Sequence, residues 1–313
     1  MKADSNQSSI TYFTIAGISG SSAFQAPIFA LALLVYVFVF AGNVTIALLV
    51  FLDAHLRSPM YSFLCSLSLL DICYVTVALH KVLDTFVSGD NSVSLPVCLT
   101  QMYFYMAFGG SELMLLTAMS YDRYLAVCLP LHYRMIMHPH LCAFLITLSW
   151  FLGLAQALPF LFLALRITCF ISKEINHFFC EMLAFMKLSC SGTSFLELII
   201  HVESIFTGFA PFILTFLSYM FIVRSILRIR STSGRFKAFY TCSSHLTVVI
   251  LFYLTLFCLY LRPVSASSLE GDKLSSLLYT VVVPVLNPLI YSLRNKDVKT
   301  AWKRTFKWVQ LVC

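Results

Sequence analysis

Two carboxylates stand where water is scarce: Asp71 and Glu112 each interrupt an otherwise apolar block. An acid in that setting is costly unless it is paired, neutralised or bound to a cation. A second charged pair, Asp122-Arg123, closes another apolar block within MSYDRYLAVC, Met119 to Cys128. An arginine held by its neighbouring acid keeps a charge at a membrane boundary and is releasable when a partner docks. Ser243-Ser244-His245 sets nucleophile and base types side by side. No acid is suggested to orient that histidine, and no His/Cys metal spacing occurs, so no enzyme is expected. Four cysteines, Cys98, Cys169, Cys180 and Cys190, fall on or near one face; four permit three pairings. The remaining seven, Cys65, Cys73, Cys128, Cys142, Cys242, Cys258 and Cys313, read as free thiols.

The elements that position these groups follow from composition. Of 313 residues, 59% are hydrophobic and 11% charged, against roughly 25% charged in a soluble domain. The apolar residues form blocks of about 20 or more, the length that crosses a bilayer. The blocks predict an all-α, seven-transmembrane bundle with helices at 25–52, 59–83, 97–129, 141–165, 195–228, 237–261 and 272–293. The whole chain, 1–313, reads as one domain: a tail over 1–24, the bundle over 25–293, and a last segment over 294–313. From Cys98 to Arg123 is about 38 Å of helix at 1.5 Å per residue, so these residues mark opposite ends of the third span.

Seven spans put the termini on opposite sides, and charge chooses between the two orientations. With the amino terminus outside, the inner segments hold fourteen Lys and Arg against three Asp, a balance of +11, while the outer segments hold seven of each sign. The positive-inside rule selects that orientation. The overall charge of +7 is then an anchoring signal, and no nucleic-acid partner is expected. Met1 to Ser22 has no apolar core of a cleavable signal peptide, so the first span is expected to direct insertion. Asn6-Gln7-Ser8 in the tail is a glycosylation sequon; Asn43-Val44-Thr45 fits the pattern but lies inside a span. Residues 294–309 place Val298, Trp302, Phe306 and Val309 on one stripe, an amphipathic helix for the inner leaflet or for docking a cytosolic protein. Cys313 is a candidate for palmitoylation. The segment 166–194 reads as an outer loop stapled to the bundle.

The seventh span ends in PVLNPLIYSLRN, Pro284 to Asn295, where Pro288 removes a backbone hydrogen bond and Asn287 can satisfy the freed groups. Together with MSYDRYLAVC this string resembles the rhodopsin-like G-protein-coupled receptors. SPMYSFLCSLSLLD (Ser58 to Asp71), MSYDRYLAVCLPLHY, Ser218-Tyr219, KAFYTCSSHLTVV (Lys237 to Val249) and a loop carrying Cys169, Cys180 and Cys190 are similar to the odorant-receptor branch. The motifs extend from Gly42-Asn43 to Asn295. Departures are Arg57 where the family usually has His, His80 where a proline commonly precedes Lys81, and Leu254 where a glycine is usual.

The resemblance implies roles residue by residue. Asp122, Arg123, Tyr124, Tyr219, Asn287, Pro288 and Tyr291 would form the switch that couples to a G protein. Asp71 and Glu112 would form a sodium or proton site with Asn287; beyond a sodium ion no cofactor is implied. The ligand cavity would be lined by Tyr105, Met106, Gly109 and Gly110, by Ser204 and Thr207, and by Tyr253, Phe257 and Tyr260. Tyr105, Gly109 and Glu112 share a helical face at i, i+4, i+7, as do Tyr253, Phe257 and Tyr260. Glu203, near His201 and Glu197, either faces the cavity or sits at a wet helix end. The family pattern pairs Cys98 with Cys180, leaving Cys169 with Cys190. The implied partners are a small odorant, the bilayer and an olfactory-type stimulatory G protein that raises cyclic AMP. An acid pair also suits an ion-coupled transporter, but no corresponding half-chain motifs or paired interrupted helices support one. A chemosensory receptor for a metabolite outside the nose fits the same motifs.

Overall fold

The computed structural model describes residues 11–18, 22–190, 198–199, 202–203, 205–260, 269–294 and 296–312. Asn6, Glu197, His201, Ser204 and Cys313 lie outside them. Among the described residues the long helices are α1 (Ser22–Leu52), α2 (Pro59–Ser88), α3 (Leu95–Cys128), α4 (Pro139–Leu165), α5 (Ala210–Arg228), α6 (Thr232–Tyr260), α7 (Leu269–Arg294) and α8 (Lys296–Val312).

Local chemistry sets many of these ends. Proline occupies the first turn of α2, α3, α4 and α5, where its missing N–H leaves no bond unmade. His138 caps α4 by accepting from the Leu141 N–H at 3.2 Å. Helix α2 runs to Ser88, five residues past the predicted end at 83, and stops where Gly89 adopts φ 73° and returns its N–H to Thr85. A left-handed residue at that position is a glycine role. The fifth span begins with a π-helical turn at Ile205–Phe209 before α5 proper, an irregularity that apolar block length does not reveal.

Four segments are by themselves long and apolar enough to cross a membrane: Phe24–Leu52, Pro59–Ser88, Pro139–Leu165 and Ile205–Arg228. The two halves of α6, Thr232–Tyr240 and Cys242–Phe257, pass together as a fifth. Helix α3 is more polar because it is the inner one, packing on α2, α4, α5 and α6. Helix α7 closes the ring between α1 and α6, and also touches α2. The result is an all-α, seven-helix membrane bundle followed by the short helix α8.

Small residues let α3 and α4 approach closely. A Cβ on Gly153 would overlap Ser111 and the Ala107 carbonyl, and one on Gly110 would overlap the Gln156 amide. Ser111 Oγ donates to Ala107 O, and the Trp150 indole N–H reaches from α4 to Ser66 of α2 at 2.9 Å.

One end of the bundle carries a cap that apolar patterning does not announce. Tyr12–Ile15 forms strand β1, pairing antiparallel with β2 (Ser92–Ser94) and parallel with β3 (Glu174–Ile175), so β1 is central. Phe13 is fully buried against Phe170 and Phe185. Disulfides join Cys98 to Cys180 and Cys169 to Cys190. Within the segment expected to be an extracellular tail, residues 13–17 therefore contact the loop 166–190.

Candidate functional site

Helix α3 carries chemistry at three depths. Nearest the cap, the Tyr105 hydroxyl meets Thr280 Oγ1 of α7 at 3.3 Å, and its ring packs on Tyr74 and on Phe179 of the capping loop. Met106 packs beneath the same cap, and Gly109 is half-buried beside it. Gly110 turns to α4 instead, against Gln156, so its smallness serves helix approach.

The remaining expected cavity residues gather on the α5–α6 side. Phe212 is the common partner of Tyr253 (ring centroids 5.1 Å apart) and Phe257 (5.3 Å). Thr215 donates to Thr117 at 3.3 Å, tying α5 to α3 below them. Thr207 lies in the π-turn and donates to the Glu203 carbonyl at 2.9 Å. Glu203 is half-buried, and its Oε2 has no hydrogen-bond partner among the described residues. The side chain of Tyr260 lies outside the described set.

Above this space sits His177, which the sequence did not single out. It is 2% exposed, stacks on Phe178 and meets Phe179 edge-on, and neither ring nitrogen has a hydrogen-bond partner among the described residues. Burial, and then the charges of Lys273 and Lys187, push its pKa down to about 3. It is a neutral imidazole at any physiological pH.

At mid-depth the two acids meet. Asn287 Nδ2 donates to both Asp71 oxygens, at 3.0 and 3.1 Å, and to Glu112 Oε1 at 3.2 Å. All three residues are at most 2% exposed. Asn43 is buried nearby in the fold and donates to Val39 O, while the side-chain oxygens of Asn43, Asn287 and Ser68 accept or share no hydrogen bond among the described residues. Two hard carboxylates and orphaned oxygens are the donor chemistry that suits sodium or a shared proton. The residues present therefore fit the ion that the resemblance implies.

At the far end of α3, Arg123 is gripped by its own neighbour. Its Nη2 and Nε reach Asp122 Oδ2 at 2.7 and 3.1 Å. The other Asp122 oxygen accepts from Tyr133 at 2.8 Å, in the helical turn Tyr133–Ile136. Burial and the Asp122 charge hold the Tyr133 phenol well above its ordinary pKa, so it remains a donor. Tyr124 faces α5, edge-on to Phe221. Tyr219 of α5 is bonded to His245 Nδ1 of α6 at 2.5 Å, with His245 fully buried. This gives the serine-histidine string its structural place: the histidine ties two helices. Pro288 packs on Gly42, where an added Cβ would lie 3.0 Å from the proline ring. The Tyr291 side chain lies outside the described set.

Helix α8 is clasped to the α1–α2 connection. Asp53 accepts from Arg304 Nη2 at 2.6 Å and from the His55 N–H at 2.9 Å, and Tyr61 donates to Asp297 at 2.9 Å. Burial alone would raise the Asp53 pKa, but the bonds from His55 and Arg304 outweigh it and bring the group to about 2. These pairs were not legible beforehand. Asp53 and Arg304 are 251 residues apart, and neither sits in a motif.

Comparison with known proteins agrees in family across the chain. A family model described as olfactory receptor matches residues 32–308. The mouse protein olfactory receptor 8G50 is 44% identical over 303 residues, covering 97% of each chain. Human olfactory receptor 8G1 is 44% identical over 96% of each, and rat olfactory receptor 1 is likewise 44% identical over 96% of each.

Proposed function

The chain belongs to the olfactory receptor family, a family of multi-pass membrane receptors and not of enzymes, and from that premise we propose how it signals. It binds a small volatile or apolar molecule within the bundle, between the Tyr105 group and the Phe212–Tyr253–Phe257 group. Its amino terminus is outside and its α8 end is cytosolic, as the charge balance requires. Asn6 then lies on the side where glycosylation occurs. Binding activates an olfactory-type stimulatory heterotrimeric G protein and raises cyclic AMP.

The observation that carries this reading is the closed Asp122–Arg123 pair, capped by Tyr133, at the end of the helix that also bears Tyr105 and Glu112. One helix thus links the cavity, the acid centre and a held cation. A ligand that binds two bundle arrangements with different affinity shifts their populations. In the signalling arrangement the inner half of α6 moves outward, which requires the Tyr219–His245 bond to break or re-form, and a crevice opens beside Arg123, Tyr219 and Tyr291.

Asp71, Glu112 and Asn287 would hold sodium in the resting bundle. A bound cation there supplies the positive charge that lets both carboxylates stay ionised. The chain's own part is to keep them adjacent: Asn287 bridges both and sits one residue before Pro288, so a change in the α7 bend alters the spacing of the acids. The testing experiment is a cyclic AMP reporter read across an odorant panel in cells expressing this receptor, with ligand uptake measured in parallel. Ligand-dependent cyclic AMP without uptake supports a receptor over an ion-coupled transporter.

A further inference from the structure

A groove of about 870 Å³ runs along the outer face of the bundle where α1, α7 and α8 meet; its lining includes neither the two acids nor any residue expected to line the ligand cavity. That volume is at the upper end of ligand-binding cavities. Its long wall is α1 from Leu34 to Leu49, about 22 Å of helix, longer than the roughly 15 Å of hydrocarbon in one leaflet. Apart from Thr45 its wall side chains are apolar, and among them Leu34 at 66% and Val37 at 56% are exposed to the surroundings. In a membrane bundle those surroundings are lipid. Gly42 and Pro288, both lining the groove, lie close together.

The end of this groove is different. It is lined by Trp302, Lys299 and Lys303 of α8. Trp302 is half-exposed at this bundle end, the position at which tryptophan favours the membrane interface. Lys299 and Lys303 are one helical turn apart and exposed, and neither forms an ion pair with a described residue. Their neighbour Arg304 is engaged by Asp53 instead. An apolar slot the length of a lipid chain, ending in two uncompensated ammonium groups at headgroup level, is complementary to one molecule type already in the membrane.

We propose that this groove is a binding site for a single anionic phospholipid, its acyl chain along α1 and its headgroup on Lys299 and Lys303. A sterol would fill the slot but leave both lysines without a counter-charge, and a zwitterionic lipid would bring its own cation to them. Two lysines near an anionic headgroup predict roughly tenfold or greater preference over phosphatidylcholine.

The test uses the full-length receptor in lipid nanodiscs containing trace photoactivatable phosphatidylserine or phosphatidylcholine, with cross-linked peptides mapped by mass spectrometry. Phosphatidylserine should label the α1 and α8 peptides about tenfold more than phosphatidylcholine. The Lys299→Gln/Lys303→Gln double variant should bring the two lipids to parity. Ala41→Trp, which fills the slot from an exposed position and leaves the charges in place, should abolish labelling by both. Equal labelling of the wild type by the two lipids overturns the proposal. So does displacement of the label by cholesterol but not by unlabelled phosphatidylserine, or retention of the preference in the double-lysine variant.

Discussion

Asn287 donates its amide to Asp71 across 216 residues of sequence, at 3.0 Å from one carboxylate oxygen and 3.1 Å from the other. The same nitrogen reaches Glu112 at 3.2 Å. Two acids sharing one donor in a low-dielectric interior cannot both stay charged without a cation or a shared proton.

The first prediction follows from that constraint. If sodium occupies the centre only at rest, sodium lowers ligand potency by stabilising the resting bundle. Glu112→Gln keeps the shape and removes the charge, so it should erase most of the sodium dependence at preserved surface expression, and Asp71→Asn should do the same. Ligand potency across a sodium series at constant ionic strength measures this. A Glu112→Gln receptor with unchanged sodium dependence would leave the shared proton as the better account.

A second prediction concerns the tie between α5 and α6. Tyr219→Phe deletes the hydroxyl on His245 and leaves the buried imidazole with an unmet group, a cost of about 1–3 kcal/mol. The thermal midpoint of the detergent-solubilised receptor should fall, while a Ser218→Ala variant on the half-buried neighbouring position should leave it nearly unmoved. Equal midpoints for Tyr219→Phe and wild type would mean that the bond contributes nothing.

The α8 clasp gives a pH prediction. Asp53 titrates near 2, below the ordinary carboxylate value near 4. Its contribution to docking is therefore present above about pH 4 and lost only as pH falls through about 2. A distance measurement between labels on α1 and α8 should show α8 still docked at pH 4.5, whereas Asp53→Asn should be looser at every pH above 4. Undocking of the wild type with a midpoint near pH 4 would contradict the assignment.

The cap makes the fourth case. Phe13 is fully buried between Phe170 and Phe185, and Phe→Ala at such a site costs roughly 3–5 kcal/mol. Phe13→Ala should raise hydrogen exchange in residues 166–190 while leaving α1–α4 protected. Unchanged exchange in that loop would show that β1 does not hold the cap down.

These cases mark what was legible in the sequence. Helix number and approximate ends follow from block length, and the first-turn prolines sharpen the starts. The meeting of Asp71, Glu112 and Asn287 was readable only through the resemblance, because depth along separate helices does not fix which faces converge. Nothing in the sequence pointed to β1. Four residues are too short for a periodic signal, and its partners are strands of three and two residues within loops, beginning at Ser92 and Glu174. The Tyr219–His245 and Asp53–Arg304 pairs are likewise side-chain meetings between distant segments, invisible to any local pattern. The resemblance implies a cavity wall at Gly110, yet the close α3–α4 crossing places it against Gln156.

The central claim is that a ligand held in this bundle reports through Arg123. Arg123 is 8% exposed and bound by Asp122 at 2.7 Å, so its truncation leaves a buried acid without its charge partner, and the comparison is made at equal receptor number. The decisive measurement is odorant-dependent cyclic AMP in cells expressing wild type or Arg123→Ala at matched surface density. The account predicts a saturable rise with wild type and at least a tenfold smaller response with Arg123→Ala. A well-expressed Arg123→Ala receptor that signals as strongly as wild type would contradict it.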